Sequence, residues 1–197
     1  MKSLLLITES FHPEEFGIND LIFKLKSKNY NIYVLTQTPS YPYNTPFEGY
    51  KNKFFQVENY RGIKIYRVYD LMWRSKSFVF KTLGYLFFSF AASLALFFLK
   101  KKKFDSVFVY QVGPLTQIIP ALISKLFFRN KITIWILDLW PFTVFGYGLK
   151  KNILTEFFLN LFCKISYKFS DNILVSNEGF IQKINKYVPD KKIHFIP

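Results

Sequence analysis

The stretch ITIWILDLWPF, residues 132–142, carries the most direct information about the fold. Its first part, Ile132–Leu137, is almost wholly apolar and β-prone, which is typical of a strand buried on both faces. A carboxylate, Asp138, follows directly, and Trp140–Pro141 then ends the extended run. In parallel α/β sheets, ligands bind outside the carboxyl ends of the strands, so Asp138 stands where such sheets place their chemistry.

Strand and helix patterns alternate on both sides of this stretch. Short β-prone runs lie at 2–8, 31–37, 105–111, 132–137, 172–176 and near the end of the chain, and residues 54–70 resemble a pair of strands around a turn. Amphipathic helical patterns separate most of these runs. We therefore predict an α/β fold: a Rossmann-like, doubly wound and mainly parallel sheet that forms a single domain over residues 1–197.

The charge balance predicts a negatively charged partner. The chain has 27 basic and 13 acidic residues among 197, a formal net charge of +14, together with 25 phenylalanines. Nucleic acid, anionic lipid and phosphorylated ligands would all match such an excess. The combination of Phe and Lys favours a lipid surface, and no RNA-binding aromatic–glycine motif or Cys/His finger spacing is present, so we predict no nucleic-acid partner.

Few residues in the sequence suit a metal or redox site. Cys163 is the single cysteine, and only two histidines occur, so we predict neither a metal nor a cofactor. Cys163 lies in an apolar helical context, where a buried small side chain is expected. The apolar run in MKSLLLITES is short for a signal peptide and indicates a first strand, which predicts a cytoplasmic protein.

The segment at 78–103 has the length and composition of a membrane-spanning helix. A single crossing would, however, place the strands before it and those after it on opposite sides of the membrane. We therefore predict a helix that docks on the sheet and lies in the membrane interface, peripheral to the inner face of the cell membrane. A buried core helix and a spanning helix are the alternatives. The predicted interface residues are Phe87, Phe88, Phe97, Phe98, Lys100, Lys101, Lys102 and Lys103.

The residues that follow the strands define the candidate site. Asp138 is the candidate catalytic group, and the alternative is an aspartate that only binds the loop backbone. Gly17, at a helix start, offers backbone N–H groups to a phosphate, or serves as a plain helix-entry turn. Glu9 also follows a strand. Arg67 and Arg74 could bind a phosphorylated ligand, and the alternative is that they form a solvated basic rim. His12 is either a turn residue or a general base.

Several pieces, taken in order, resemble a retaining glycosyltransferase of family 4. They are LLLITESFHPEEFGIND, TPSYPYNTPFEGY, IKIYRV, WILDLWP, ILVSNEGF and KIHFIP, and they extend over essentially the whole chain. The resemblance is greatest to enzymes of O-antigen, capsule and exopolysaccharide assembly, including aminofucose transferases. It implies a GT-B architecture, in which two Rossmann-like domains face each other across a cleft, and this chain matches only the N-terminal, acceptor-side domain. The C-terminal, donor-binding domain is expected to be absent.

The resemblance also implies roles for individual residues. Gly17 matches the first-loop glycine that approaches the donor phosphates, and Asp138 matches a cleft-facing position that helps to deprotonate or orient the acceptor hydroxyl. The acceptor-binding residues are expected to be His12, Tyr41, Arg67, Arg74 and Trp140. The expected partners are a nucleotide-sugar donor, bound through the missing domain, a polyprenyl-diphosphate-linked glycan acceptor and an anionic membrane surface.

Two functions follow as hypotheses. The first is the acceptor-binding domain of a membrane-associated glycosyltransferase in surface polysaccharide synthesis, incomplete for catalysis by itself. The second is a non-enzymatic module that binds a lipid or a partner chain. Transfer of a sugar to a lipid-linked acceptor, once a donor domain is supplied, would distinguish them.

Overall fold

A computed structural model describes residues 2–73, 77–99 and 103–197. The strands are β1 (Ser3–Ile7), β2 (Asn31–Gln37), β3 (Phe55–Tyr60), β4 (Ile63–Val68), β5 (Ser106–Gln111), β6 (Lys131–Ile136), β7 (Asn172–Val175) and β8 (Ile193–Phe195). The α-helices are α1 (Gly17–Ser27), α2 (Phe78–Phe98), α3 (Ile119–Phe128), α4 (Phe142–Gly146), α5 (Ile153–Phe169) and α6 (Gly179–Asn185), and a 3₁₀ turn at Leu115–Ile118 leads into α3. Arg74 and Lys100, Lys101 and Lys102, which were predicted to bind the acceptor and the membrane, lie outside the described residues.

The strands form one eight-stranded sheet with the order β3-β4-β2-β1-β5-β6-β7-β8. Every described pairing is parallel except that of the hairpin β3–β4. The chain runs outward from β1 to β4, then returns past β1 to β5 and continues to β8. The order therefore reverses between β1 and β5, and this is the switch point at which doubly wound sheets bind ligands. The predicted Rossmann-like, mainly parallel sheet is confirmed.

The two faces of the sheet carry different helices. Helix α1 covers one face through Ile18 and Ile22. Helices α2, α3, α5 and α6 cover the other face, where Phe88, Cys163 and Ile184 join the core. Right-handed crossovers explain this division, because the chain moves in opposite directions along the sheet before and after β4. The buried position predicted for Cys163 is confirmed, and burial raises the pKa of its thiol to about 12.

Helix α2 lies on the sheet along one side. It is long and apolar enough to span a membrane by length and composition, yet 39% of its most apolar window is buried. Small side chains at Ala91, Ala92 and Ala95 let it approach the strands closely. Strand β1 pairs with β2, which precedes the helix, and with β5, which follows it. A single crossing by α2 is incompatible with this sheet.

The four phenylalanines predicted for the membrane interface divide into two pairs. Phe88 is fully buried, and Phe87 is half-buried against the same core, so the prediction was wrong for Phe88. Phe97 and Phe98 are 42% and 73% exposed. The helix turns Phe88 toward the sheet together with its alanines, because residues three and four positions apart share one face. Lys103 is exposed.

Candidate functional site

A cavity of about 380 Å³ opens at the switch point, between the carboxyl ends of β1 and β5. The loops after β1, β2, β5 and β6, the first turns of α2 and the residue before α1 form its walls. The lining residues are Thr8, Glu9, Ser10, Phe16, Tyr41, Pro42, Lys81, Tyr85, Tyr110, Val112, Gly113, Pro114, Asp138 and Tyr147. Of the residues predicted to form the site, Asp138 and Tyr41 lie in this wall.

Asp138 organises the loop that follows β5 and also faces the cavity. Its Oδ2 atom accepts a hydrogen bond from the backbone N–H of Gly113 at 2.5 Å, and its carbonyl oxygen accepts one from the Gln111 amide at 2.9 Å. Gly113 has φ +81°, a conformation that glycine adopts without steric cost. Asp138 thus binds the loop backbone, which was the structural alternative in the sequence analysis, and it also lines the cavity. Its action on a ligand stays a prediction.

Two further charged residues line the cavity although the sequence did not assign them a role. Glu9 is buried at the end of β1, where its backbone N–H donates to Gln117 Oε1 at 3.0 Å and its carbonyl accepts from the Thr36 hydroxyl at 2.9 Å. Lys81 is exposed in the first turn of α2. The signal for Lys81 was present in the sequence, since it is the single charge in the otherwise apolar run at 78–99.

The N-terminus of α1 lies beside the cavity. The helix begins at Gly17, and the preceding residue, Phe16, lines the cavity wall and provides no side-chain cap. A Cβ atom built on Gly17 would lie 4.0 Å from the Tyr110 hydroxyl, so the space around Gly17 does not by itself require glycine. The Asn19 N–H donates to the Phe16 carbonyl at 2.9 Å, and no Phe16 side-chain cap occupies the start of the helix. A helix start without such a cap suits a phosphate group. The role of Gly17 toward a donor phosphate stays a prediction.

The loop that carries Tyr41 is held by a buried carboxylate. Glu14 accepts hydrogen bonds from the backbone N–H groups of Ser40 at 3.0 Å and Tyr41 at 2.7 Å, and from that of Phe11 at 3.1 Å. These contacts join the loops after β1 and β2 into one rigid edge of the cavity. Tyr41 is about half exposed at this edge, where its ring is accessible to a ligand.

Arg67 and His12 lie outside the cavity wall and contact each other. The Arg67 side chain is fully buried, its Nε and Nη2 atoms donate to Glu58 Oε1 at 2.8 and 2.6 Å, and Nη2 also donates to the His12 carbonyl. The His12 ring stacks on Tyr60 with centroids 3.7 Å apart. Burial, and then the positive charge of Arg67, lowers the pKa of His12. Arg67 is therefore neither part of a solvated basic rim nor exposed to a ligand, because its side chain is buried and paired with Glu58.

A second cavity, of about 400 Å³, adjoins the first. We call it the apolar groove. Its lining comes from the first half of α2, the loop after β5, α4 and the start of α5, and the residues are Phe78, Thr82, Tyr85, Leu86, Gly113, Pro114, Thr116, Ile119, Trp140, Val144, Tyr147, Leu149, Phe158, Leu159 and Phe162. Trp140, predicted to bind the acceptor, lies in this groove, where its indole N–H donates to the Gly113 carbonyl at 3.1 Å.

Within 2–73, 77–99 and 103–197, no group of three or more His, Cys, Asp or Glu side chains is arranged to hold a metal ion. The charged side chains that line the cavity are the carboxylates of Glu9 and Asp138 and the amine of Lys81. A carboxylate can accept a hydrogen bond from a hydroxyl group, and an amine can bind an anion.

Comparisons with known proteins give a likeness of fold. No known protein family matches the chain, and no curated protein matches it in sequence. The solved structure of sucrose-phosphate synthase from Thermosynechococcus elongatus matches with a TM-score of 0.66 and 11% identity, over 100% of this chain and 48% of that chain. An Escherichia coli structure described as trehalose-6-phosphate bound with UDP-2-fluoro glucose matches with a TM-score of 0.58 and 11% identity, over 96% of this chain and 43% of that chain.

Both structural neighbours are GT-B glycosyltransferases. The chain spans about half the length of each of them. At this level of identity the likeness concerns the fold alone. The described chain therefore has the Rossmann-like fold of one half of a GT-B protein, as the sequence predicted.

Proposed function

We propose that this chain is the acceptor-binding half of a glycosyltransferase that uses a nucleotide-sugar donor. One observation carries the proposal: a cavity at the switch point of a GT-B-like half combines Glu9, Asp138 and Lys81 in one wall. The likeness to two glycosyltransferases supports sugar transfer in general. A second Rossmann-like domain, facing the carboxyl ends of the strands, would hold the donor.

The cavity residues suit the acceptor side of such a reaction. Asp138 is held by Gly113, so its carboxylate is positioned before a ligand arrives, and it would orient or deprotonate the attacking hydroxyl. Lys81 and the start of α1 would meet phosphate groups. By the resemblance to retaining enzymes, the departing phosphate of the donor assists the deprotonation, and no protein nucleophile is required.

The finer part of the proposal concerns the acceptor and its place in the cell. We infer a lipid-linked glycan as acceptor, in the assembly of a surface polysaccharide, and a peripheral position on the inner face of the cell membrane. The net charge of +14 and the exposed Phe97 and Phe98 support this inference. A membrane that carries anionic lipid attracts clustered lysines by on the order of 1 kcal/mol each.

The second candidate function is a non-enzymatic module that binds a lipid or another protein. The observation that favours it is the exposed apolar surface of α5, where Ile153, Leu154, Phe157 and Phe158 are all accessible. Surfaces of this kind mark contacts with membranes or partners. This candidate predicts association without any sugar transfer.

The test is an assay of sugar transfer with the chain expressed in its whole reading frame, or joined to a GT-B donor domain. Membranes supply the lipid-linked acceptor, and radiolabelled nucleotide sugars supply the donor. Asp138→Asn should lower kcat by about 100-fold or more, while the amide oxygen still accepts from Gly113 and preserves the fold. Asp190→Asn, at an exposed position, is the matched control and should leave kcat unchanged. A fully active Asp138→Asn enzyme removes the assigned role, and absence of transfer with every donor favours the second candidate.

A further inference from the structure

The edge of the sheet opposite the switch-point cavity carries a row of positive charges. Because parallel strands begin at the same edge, the residues before them lie side by side. The register shows this, since Ser3 of β1 pairs with Asn31 of β2 and Ser106 of β5 pairs with Lys131 of β6. We call the exposed cations before or at the starts of the parallel strands the basic row. In sheet order from β4 to β8, they are Arg61, Lys28, Lys2, Lys103, Arg129, Lys131, Lys168 and Lys192.

The basic row is long and regular, and most of its charge faces solvent. Neighbouring strands lie about 4.8 Å apart, so the row extends over about 29 Å. Three acids, Asp105, Asp171 and Asp190, lie in the same described loops. Asp105 accepts a hydrogen bond from the Ser3 N–H at 2.6 Å, and Asp171 accepts one from Lys125 at 2.7 Å. Two of the three acids are therefore already engaged away from the row.

Stabilisation of helices accounts for only part of this pattern. The crossover helices end at the same edge, and a cation in a last turn, such as Lys168 of α5, offsets the negative end of the helix dipole. Lys2, however, adjoins β1, and Arg61 lies in the turn between β3 and β4, so neither stands at a helix end. The row follows the strand starts and not the helices alone.

The loops at the opposite edge carry several acids. Glu9 and Glu14 follow β1, Asp70 follows β4 and Asp138 follows β6, with Lys81 nearby in α2. Exposed like charges along the amino edge attract a polyanion, whereas carboxylates repel it. A long polyanion is therefore directed to the amino edge of the sheet.

We propose that the basic row binds a linear anionic polysaccharide, which lies along the amino edge of the sheet. Such a chain carries carboxylates at regular intervals, which matches cations repeated from strand to strand. A single-stranded nucleic acid would need exposed rings on which its bases stack, and the described loops of the row offer few of these, Phe169 being one. A line of charges also fits an extended chain better than the plane of a membrane. This binding is independent of sugar transfer, because it uses the other edge of the sheet.

The test uses linear polygalacturonate of about ten sugars, and calorimetry measures its Kd with the whole protein at about 0.1 M salt. Lys28→Gln, Lys131→Gln and Lys168→Gln together should raise the Kd by about tenfold, since three exposed ion pairs are lost. Lys2→Gln with Lys192→Gln should raise it by about fivefold without a change at any helix end. This second variant keeps the test decisive if the first one folds poorly.

The matched control removes the same charge from the other side of the sheet. Lys51, Lys53 and Lys150 are exposed in loops at the carboxyl ends of strands or at the start of α5. Changing all three to Gln should alter the Kd by less than about twofold. Trigalacturonate, at an equal concentration of carboxylates, should bind about tenfold more weakly than the long chain, because it can reach the cations of only a few strands.

Several results would overturn the proposal. Equal losses in the amino-edge and control triple variants would mean that net charge alone attracts the polysaccharide. Equal affinity for trigalacturonate and the long chain would exclude a ligand that lies along the row. Tighter binding of single-stranded DNA of about ten nucleotides, or of anionic vesicles, with the same dependence on Lys2 and Lys192, would assign the row to a nucleic acid or to a membrane. A fall of Tm without any rise of the Kd would leave these lysines a purely structural role.

Discussion

Arg67 shows what a sequence can and cannot indicate about a single residue. Its position after a β-prone run suggested a ligand-binding or solvated cation. In the structure it is buried, and it pairs with Glu58 from the neighbouring strand β3 while its guanidinium lies 5.1 Å from the centre of the Tyr50 ring. The pairing depends on the register of β3 against β4 and on a loop that folds over both. No local pattern in IKIYRV records either.

The buried ion pair gives a prediction for stability. Glu58→Gln removes the negative charge that faces Arg67 and leaves a buried cation with weaker partners, so the free energy of unfolding should fall by about 2 kcal/mol. The carboxylate of Glu58 is partly exposed, which keeps the loss below that of a fully buried pair. Chemical denaturation followed by circular dichroism measures the difference.

An exposed ion pair supplies the control for Glu58→Gln. Lys151 and Glu156 are 3.3 Å apart, and both side chains are exposed. Glu156→Gln should therefore change the free energy of unfolding by less than about 0.5 kcal/mol. Equal losses in the two variants would show that the Arg67 pair contributes nothing special to the fold.

At the scale of elements, the strands were easier to predict than the orientation of the helices. Each parallel strand is a short β-prone run, and the parallel order follows from the alternation with helices. Helix α2 is apolar on nearly all sides, so its sequence holds little contrast to indicate which face meets the sheet. Phe88 was misplaced for this reason. The short helix α4 was not predicted, because it is a single turn that tertiary contacts stabilise.

The junction of β1 and β5 gives a prediction for pH dependence. Asp105 accepts hydrogen bonds from the backbone N–H of Ser3 at 2.6 Å and from its hydroxyl at 3.0 Å, and these bonds lower the pKa of Asp105 below its ordinary value of 3.8. A carboxylate whose pKa is lower in the folded state stabilises that state above the unfolded pKa. This stabilisation is lost as pH falls through the folded pKa.

The measurement is the Tm of the wild type and of Asp105→Asn between about pH 2.5 and pH 6. The wild type should be more stable than the variant above about pH 5, and the difference should shrink as pH falls below about 4. Asp190→Asn, at an exposed position, should show a difference of Tm that stays nearly constant across this range. A constant difference for Asp105→Asn would contradict the prediction.

At the scale of the whole molecule, topology indicated which residues line the switch-point cavity more reliably than residue type did. The rule that ligands bind at the carboxyl ends of parallel strands led to Asp138 and Tyr41, and both lie in the cavity at the switch point. His12 follows β1 and Arg67 lies within β4, and the hairpin β3–β4 holds both of them away from the cavity, through the Tyr60 ring and the Glu58 carboxylate. The groove beside the cavity depends on how α2, α4 and α5 come together, which is a tertiary property that the sequence does not display.

The last prediction concerns the outer surface of α5 and its contact with membranes. This helix lies on the same side of the sheet as α2 and exposes Phe157 (60%) and Leu161 (42%). If this side meets the membrane, Phe157→Gln together with Leu161→Gln should weaken binding to vesicles of anionic phospholipid by about tenfold, measured by co-sedimentation. Raising the salt should weaken the binding of the wild type as well, since the lysines are then screened.

The control for this vesicle experiment is Phe54 (63%), before the edge strand β3, whose exposed fraction is close to that of Phe157. Phe54→Gln should change vesicle binding by less than about twofold, whereas Phe157→Gln by itself should weaken it more, if the outer surface of α5 touches lipid. Equal losses in Phe54→Gln and Phe157→Gln would mean that overall hydrophobicity, and not this surface, drives the association. Unchanged binding in the α5 variant would remove α5 from the membrane contact while leaving the sugar-transfer proposal to its own test.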